Sequence, residues 1–198
     1  MLRVEDLTVP GLAPISFEVG AGTCLVIQGT SGSGKTLIMR AMADLDPVNG
    51  YIYVQGRERE EMSGPEWRSL VRYGAAEPGW WAPVPRAHFE ADAQVDRVVV
   101  ALGLPNTALD RPLTELSTGE RQRLALIRTL SGNPKVLLLD EPTAALDKTS
   151  ADLAEELIKF QLRSGKAVVL VTHDEGQALR LADQWLILRN GSGKVFRR

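Results

Sequence analysis

Gly29, Thr30, Ser31, Gly32, Ser33, Gly34, Lys35 and Thr36 fit the pattern G-x-x-x-x-G-K-[ST], whose glycines let successive backbone N–H groups converge on phosphate oxygens. An apolar run at 24–28 precedes the pattern and a helix-period run follows it, the setting in which such a loop holds a nucleoside triphosphate. Lys35 then supplies a point charge to the β and γ phosphates. Thr36 offers a hydroxyl to Mg²⁺, and the helix N-terminus adds the positive end of its dipole. The similar string Gly191-Ser192-Gly193-Lys194 has Val195 after its lysine and no helix beyond, so it reads as a hairpin turn.

A second chemical group stands at Asp140-Glu141-Pro142, directly after the apolar run 136–139. A buried strand that ends in two carboxylates delivers them to the edge where open α/β sheets place their ligands. There Asp140 holds the Mg²⁺ shell and Glu141 polarises an attacking water, since phosphoryl transfer asks for positioning and charge neutralisation more than covalent help. Leu116-Ser117-Thr118-Gly119-Glu120 opens another helix. Ser117 and Glu120 form a capping box, and a capped helix N-terminus is also a phosphate site. His173, beyond the apolar run 167–171, is either a core or cap histidine or a phosphate contact.

These residues need elements to hold them. Segments 2–4, 15–19 and 24–28 are β-branched or alternating and are separated by Pro10-Gly11 and Gly20-Ala21-Gly22, so they read as strands joined by tight turns. Helical periodicity predicts a helix over 37–45, and alternation predicts a strand over 51–54. The polar stretch 57–110, punctuated by Pro and Trp, reads as a mostly helical, variable region. Runs 136–139 and 167–171 do not alternate, as strands covered on both faces of a parallel sheet should not, and an amphipathic helix over 151–163 joins them. Segments 184–188 and 194–196 flank Asn190-Gly191 and predict a terminal hairpin.

Bulk composition narrows the partners. A chain of 198 residues with 44% hydrophobic content builds one sizeable core. Its 23 basic and 25 acidic residues nearly cancel, leaving no field to attract nucleic acid or anionic lipid, so no nucleic-acid partner is expected. Cys24 is the only cysteine and lies in an apolar run, which excludes an internal disulfide and reads as a buried strand thiol. No apolar run approaches the roughly 20 residues that span a bilayer, and the N-terminus lacks a basic-then-apolar signal, so a cytoplasmic chain is expected.

With GTSGSGKT at 29–36, LSTGERQR at 116–123, VLLLDEP at 136–142, AALD at 144–147 and VTHD at 171–174 in this order and spacing, the chain resembles the ATP-binding subunit of ABC transporters, of the short bacterial type. The resemblance covers most of its length. It implies an α/β fold of the P-loop NTPase kind: a mainly parallel core sheet, an N-terminal antiparallel β region and a helical subdomain. It also implies a single domain over 1–198, with 1–75 and 131–198 as the β-rich core and about 76–130 as the helical part. The implied enzyme is an ATPase using ATP and Mg²⁺ and assembling as a head-to-tail homodimer, in which Ser117 and Gly119 of one subunit close on the γ-phosphate held by Lys35 of the other. Asp147 would lie at the subunit boundary, and His173 would contact the γ-phosphate and the attacking water. A separate membrane-spanning subunit would be the partner, with this chain peripheral on the inner face of the membrane. The other readings are a soluble ABC-type ATPase working in cofactor assembly or on nucleic acid, and a module that holds ATP without turnover.

The chain departs from the family in three places, the first of them followed by two tryptophans. Where the family carries a glutamine that reaches the metal, Tyr73-Gly74-Ala75-Ala76-Glu77-Pro78 places Ala76, leaving Glu77 as the side chain able to take over at the metal or as an exposed loop carboxylate. Residues 1–16 contain no aromatic ring to stack on adenine. Thr118 stands where a second glycine is common, a tolerable change. Trp80 and Trp81 follow the altered loop, either as anchors for a short helix of the membrane subunit or as core filling.

Overall fold

The structure, a computed structural model, describes residues 1–89 and 93–198. The chain runs β1 (Leu2–Thr8), β2 (Ile15–Val19), β3 (Cys24–Gly29), α1 (Lys35–Met42), β4 (Asn49–Val54), β5 (Arg57–Glu58), α2 (Gly64–Leu70) and β6 (Val71–Gly74). It continues with α3 (Ala93–Ala101), α4 (Thr118–Leu130), β7 (Val136–Asp140), α5 (Lys148–Arg163), β8 (Ala167–Val171), α6 (Glu175–Leu181), β9 (Gln184–Arg189) and β10 (Ser192–Arg197).

Two sheets form, in the orders β2-β1-β4-β5 and β10-β9-β3-β8-β7-β6. The first is antiparallel throughout. In the second, β9, β3, β8, β7 and β6 run parallel and β10 closes one edge antiparallel. The expected division into a mainly parallel core and an N-terminal antiparallel region is therefore present.

The period of two in a strand sorts the core into two layers. Leu25, Ile27, Leu138, Val169 and Val171 face the antiparallel sheet, α1 and Trp67. Their neighbours Cys24, Val26, Leu137, Leu139, Val168 and Leu170 face the other way, onto Val99, Leu124, Ile127, Ile158 and Ala178 of α3, α4, α5 and α6. Every residue of β7 and β8 is thereby buried, the physical reason their sequences do not alternate. Cys24 is fully buried, and that burial first and nearby Asp183 second push its thiol pKa upward, so it is an inert strand residue. Trp67 is also fully buried and donates from Nε1 to Met42 O at 2.9 Å, pinning α2 to the end of α1. Removing such a ring from a core costs about 3–5 kcal/mol.

Among the elements that differ from expectation, three have a clear physical reason. The first helix spans 35–42 rather than 37–45, because Asp44 takes a left-handed conformation with φ 59°. Leu45 N then donates to Arg40 O and Asp44 N to Ala41 O, a Schellman closure made without glycine, so the usual stop signal is absent. The helix expected over 151–163 begins three residues earlier, where Asp147 caps it. Within 57–110 lies an unforeseen strand, β6, whose four residues follow α2 with no turn between them and pair in parallel with Val136–Leu139. Between β6 and β7 the described residues form helices only, and residues 90–92 of that expected helical part lie outside the described residues. The terminal hairpin forms as expected, with Asn190 and Gly191 both at positive φ, as a tight primed turn requires.

Candidate active site

Neighbouring parallel strands β3, β8, β7 and β6 send their carboxyl ends to one edge of the sheet. The glycine loop leaves β3 there, His173 follows β8, Asp140 ends β7, and Tyr73 lies near the end of β6.

Two glycines of the loop are sterically required. A Cβ on Gly29 would lie 2.5 Å from Ser33 Oγ and 3.0 Å from Leu188 O, and one on Gly34, at φ 97°, would lie 2.7 Å from Leu12 Cδ1. Gly34 is also the N-cap of α1 and contributes no side-chain acceptor, so the first-turn N–H groups have no side-chain cap. Lys35 Nζ donates to Gly29 O at 2.8 Å and Thr30 O at 3.0 Å, which fixes the ammonium against the loop. Ser33 Oγ is buried without a hydrogen-bond partner among the described residues. An orphan hydroxyl, uncapped helix N–H groups and a lysine in one loop fit a phosphate group.

Asp140 is 3% exposed, and two hydroxyls converge on its Oδ2. Thr36 Oγ1 donates at 2.9 Å and Tyr73 Oη at 3.1 Å. Burial, followed by the charge of Asp140, pushes the Tyr73 pKa upward and keeps the phenol a neutral donor. No cluster of three or more His, Cys, Asp or Glu occurs among the described residues. One carboxylate beside one hydroxyl nonetheless suits Mg²⁺, which uses one or two carboxylates and takes other ligands from water and substrate phosphate.

Glu141 has φ 48°, a left-handed conformation that is costly for a long side chain. Its N–H donates to Val171 O at 2.9 Å, tying the turn after β7 to the end of β8. Its Oε1 lies 2.9 Å from His173 Nε2, with Glu141 27% and His173 64% exposed at the side chain. The carboxylate has an imidazole partner and retains access to water.

Other candidates stand apart from this group. Ser117 Oγ accepts from Glu120 N at 3.2 Å and Glu120 Oε2 accepts from Ser117 N at 2.8 Å, the capping box read from the sequence. That backbone donor lowers the Glu120 pKa. Among the described residues no hydrogen bond joins 116–120 to 29–36, and Gly119 instead faces Ala145 O of its own chain. Asp147 accepts from Ser150 N and Oγ, both at 2.9 Å, so it caps α5, and the Ser150 donors lower its pKa. Glu77 is exposed and makes no hydrogen bond to Thr36 or Asp140. The side chain that does reach Asp140 is Tyr73, whose place in the sequence marks only the register of the loop. Its sole signal was a hydroxyl-bearing aromatic in a β-prone tetrapeptide.

The two tryptophans differ in burial. Trp80 is partly buried against the helical layer, whereas Trp81 is 73% exposed. Both meet His88 edge-on, with centroids at 4.9 and 4.1 Å, and the Arg128 guanidinium lies 4.4 and 5.1 Å from their rings.

The sequence and the fold both have counterparts among known proteins. The chain is 36% identical over 96% of its length to the hemin import ATP-binding protein of Streptomyces coelicolor, covering 73% of that protein. It is 34% identical over 94% of its length to the lipoprotein-releasing system ATP-binding protein of a Shewanella species, covering 88% of it. In fold it matches a solved ATP-binding subunit of an ABC transporter with a TM-score of 0.89 at 22% identity, covering all of this chain and 90% of the other. A dimeric ATP-binding cassette in a post-hydrolysis state with ADP and Pi gives a TM-score of 0.85 at 21% identity, covering all of this chain and 98% of that one. The ABC transporter family profile matches residues 12–144, so the chain belongs to the ABC transporter family, as an ATP-binding, ATP-hydrolysing subunit.

Proposed function

We propose that ATP lies along the loop 29–36, with its terminal phosphate between Lys35 and the Glu141–His173 pair. The supporting observation is the 2.9 Å contact between Glu141 Oε1 and His173 Nε2 at the ends of adjacent strands, on the same sheet edge as Lys35. Thr36 and Asp140 would hold Mg²⁺, which would neutralise phosphate charge there. Lys35 offers its ammonium to the β and γ phosphates, Glu141 accepts a hydrogen bond from the attacking water, and His173 orients Glu141.

Ser117 and Gly119 have no partner in the loop 29–36 of their own chain, which favours their use in trans, in a head-to-tail homodimer with Asp147 at the boundary. The relatives are ATP-binding proteins of import and release systems, which supports a separate membrane-spanning partner and a peripheral place on the cytoplasmic face. No helix among the described residues is long and apolar enough to cross a membrane. One domain, with 76–130 as its helical part, agrees with α3 and α4 sharing a buried layer with the central sheet.

The composite site is testable by complementation. Lys35→Ala and Ser117→Arg each inactivate both sites of their own homodimer. Mixed in equal amounts, they should recover up to about one quarter of wild-type phosphate release, because half the dimers then hold one intact site of two. Release no greater than that of the separate variants would overturn the shared site.

A further inference from the structure

Ala76 has no polar side chain to offer a metal and Glu77 makes no hydrogen bond to Asp140, yet β6 touches that carboxylate through Tyr73 Oη, 3.1 Å from Asp140 Oδ2. The register explains the reach. Tyr73 pairs with Leu138, two residues before Asp140 on the adjacent strand. Thr36 donates to the same oxygen, so two hydroxyls converge on Oδ2, and among the described residues no side-chain hydrogen bond reaches Oδ1. Asp140 is nearly fully buried, and a buried carboxylate held by one donor instead of two has a wider choice of rotamers and a weaker grip on a cation. We propose that Tyr73 is a positioning residue for Asp140 and carries the link between metal site and loop that a glutamine at 76 would otherwise provide. The link runs through the hydroxyl and not the ring, so movement of residues 75–79 shifts Asp140 by way of β6.

This proposal rests on Asp140 as the metal-holding carboxylate, and the test separates the two. Tyr73→Phe keeps the ring and removes the hydroxyl. Binding of Mn²⁺ to the protein with a non-hydrolysable ATP analogue, followed by electron paramagnetic resonance, should weaken about tenfold in Tyr73→Phe, the usual cost of losing a residue that orients a metal ligand. Affinity for the analogue without metal should stay at the wild-type value. Tyr73→Phe combined with Ala76→Gln should regain Mn²⁺ affinity. Unchanged Mn²⁺ binding in Tyr73→Phe, or equal loss of metal-free nucleotide binding, would overturn the proposal. Asp140→Asn is the control, and undiminished Mn²⁺ binding there would remove the metal-site reading and the Tyr73 role with it.

A separate feature lies at the start of β8. A groove of about 430 Å³ between α3, α4 and α5 is lined by Val95, Val98, Ile127, Leu130, Leu157 and Phe160. Gln161 and Lys166, each 8% exposed, line one side of it with Ser131, Asn133 and Ser164, and the polar ends of Gln161 and Lys166 reach solvent without a hydrogen bond or ion pair among the described residues. Burial, with Lys135 close by, pushes the Lys166 pKa down. A cation and an amide beside an apolar wall, in a groove of ligand size, complement an anion that carries a hydrocarbon tail. We infer that this groove binds a single-chain carboxylate amphiphile, its head on Lys166 and Gln161 and its tail along Leu157 and Phe160.

Calorimetric titration with decanoate and decanol tests this charge preference. Decanoate should bind one per chain, about tenfold tighter than decanol, the value of one hydrogen bond to a charged group. Lys166→Gln should erase the difference and Lys166→Arg keep it. No decanoate binding, equal affinities in the wild type, or a preference that survives Lys166→Gln would overturn the site.

Discussion

Glu141→Gln is expected to leave ATP binding unchanged within about twofold while lowering phosphate release by roughly 10²–10⁴-fold, the range contributed by a positioned general base. The amide keeps the length and shape of the carboxylate and can still meet His173 Nε2, now 2.9 Å from Glu141 Oε1. It loses the charge that polarises water. Binding groups elsewhere are untouched, because Lys35 is anchored on Gly29 and Thr30 and Asp140 on Thr36 and Tyr73. A site that closes on ATP but cannot turn it over should also accumulate as a dimer. Gel filtration with ATP and Mg²⁺ should show the variant dimeric where the wild type returns to monomer. Turnover near wild type would sink the assignment of Glu141, whatever the dimer does.

Lys35→Ala should act on the other half of the chemistry. Its ammonium is the cation the loop itself supplies for phosphate, and charged hydrogen bonds of this kind contribute about 1.5–3 kcal/mol, or roughly 10–100-fold in affinity. Equilibrium binding of a fluorescent ATP analogue should weaken by that factor, with hydrolysis falling further because the developing charge of the transition state is also unmatched. Lys35→Arg should be little better, since a planar fork cannot repeat the point contacts Nζ makes at 2.8 and 3.0 Å to two loop carbonyls. Unaltered affinity in Lys35→Ala would move the phosphate away from the loop.

Strong local signals made most of this site legible in advance. Gly29 to Thr36 announced itself because glycine spacing, a preceding apolar strand and a following helix are all properties of contiguous sequence. Asp140 and Glu141 were equally plain, since β7 is buried throughout and its two carboxylates end an unbroken apolar run. The pairing of Glu141 with His173 was harder to derive from residues, as it depends on β7 and β8 being neighbours across a connection of 26 residues, 141–166. Tyr73 was illegible for the same reason in stronger form. Its strand has four residues and no bounding turn, and its meaning comes wholly from pairing with β7. The end of α1 was misjudged because Asp44 takes the conformation that glycine usually signals. Tyr73 shows the general difficulty: adjacency along the chain is a poor guide to reach across a sheet.

The left-handed backbone at Glu141 has a consequence for laboratory evolution. Six non-glycine residues among those described share this conformation, and four of them are Asp or Asn, whose short side chains tolerate it. Glu141 has no such ease, and the conformation costs a long side chain on the order of 1 kcal/mol. Selection for heat resistance alone would find relief at this position by accepting glycine, discarding the carboxylate in the same step. Screens for a hardier version of this chain therefore need turnover as a second criterion, because stability and chemistry pull in opposite directions at this residue.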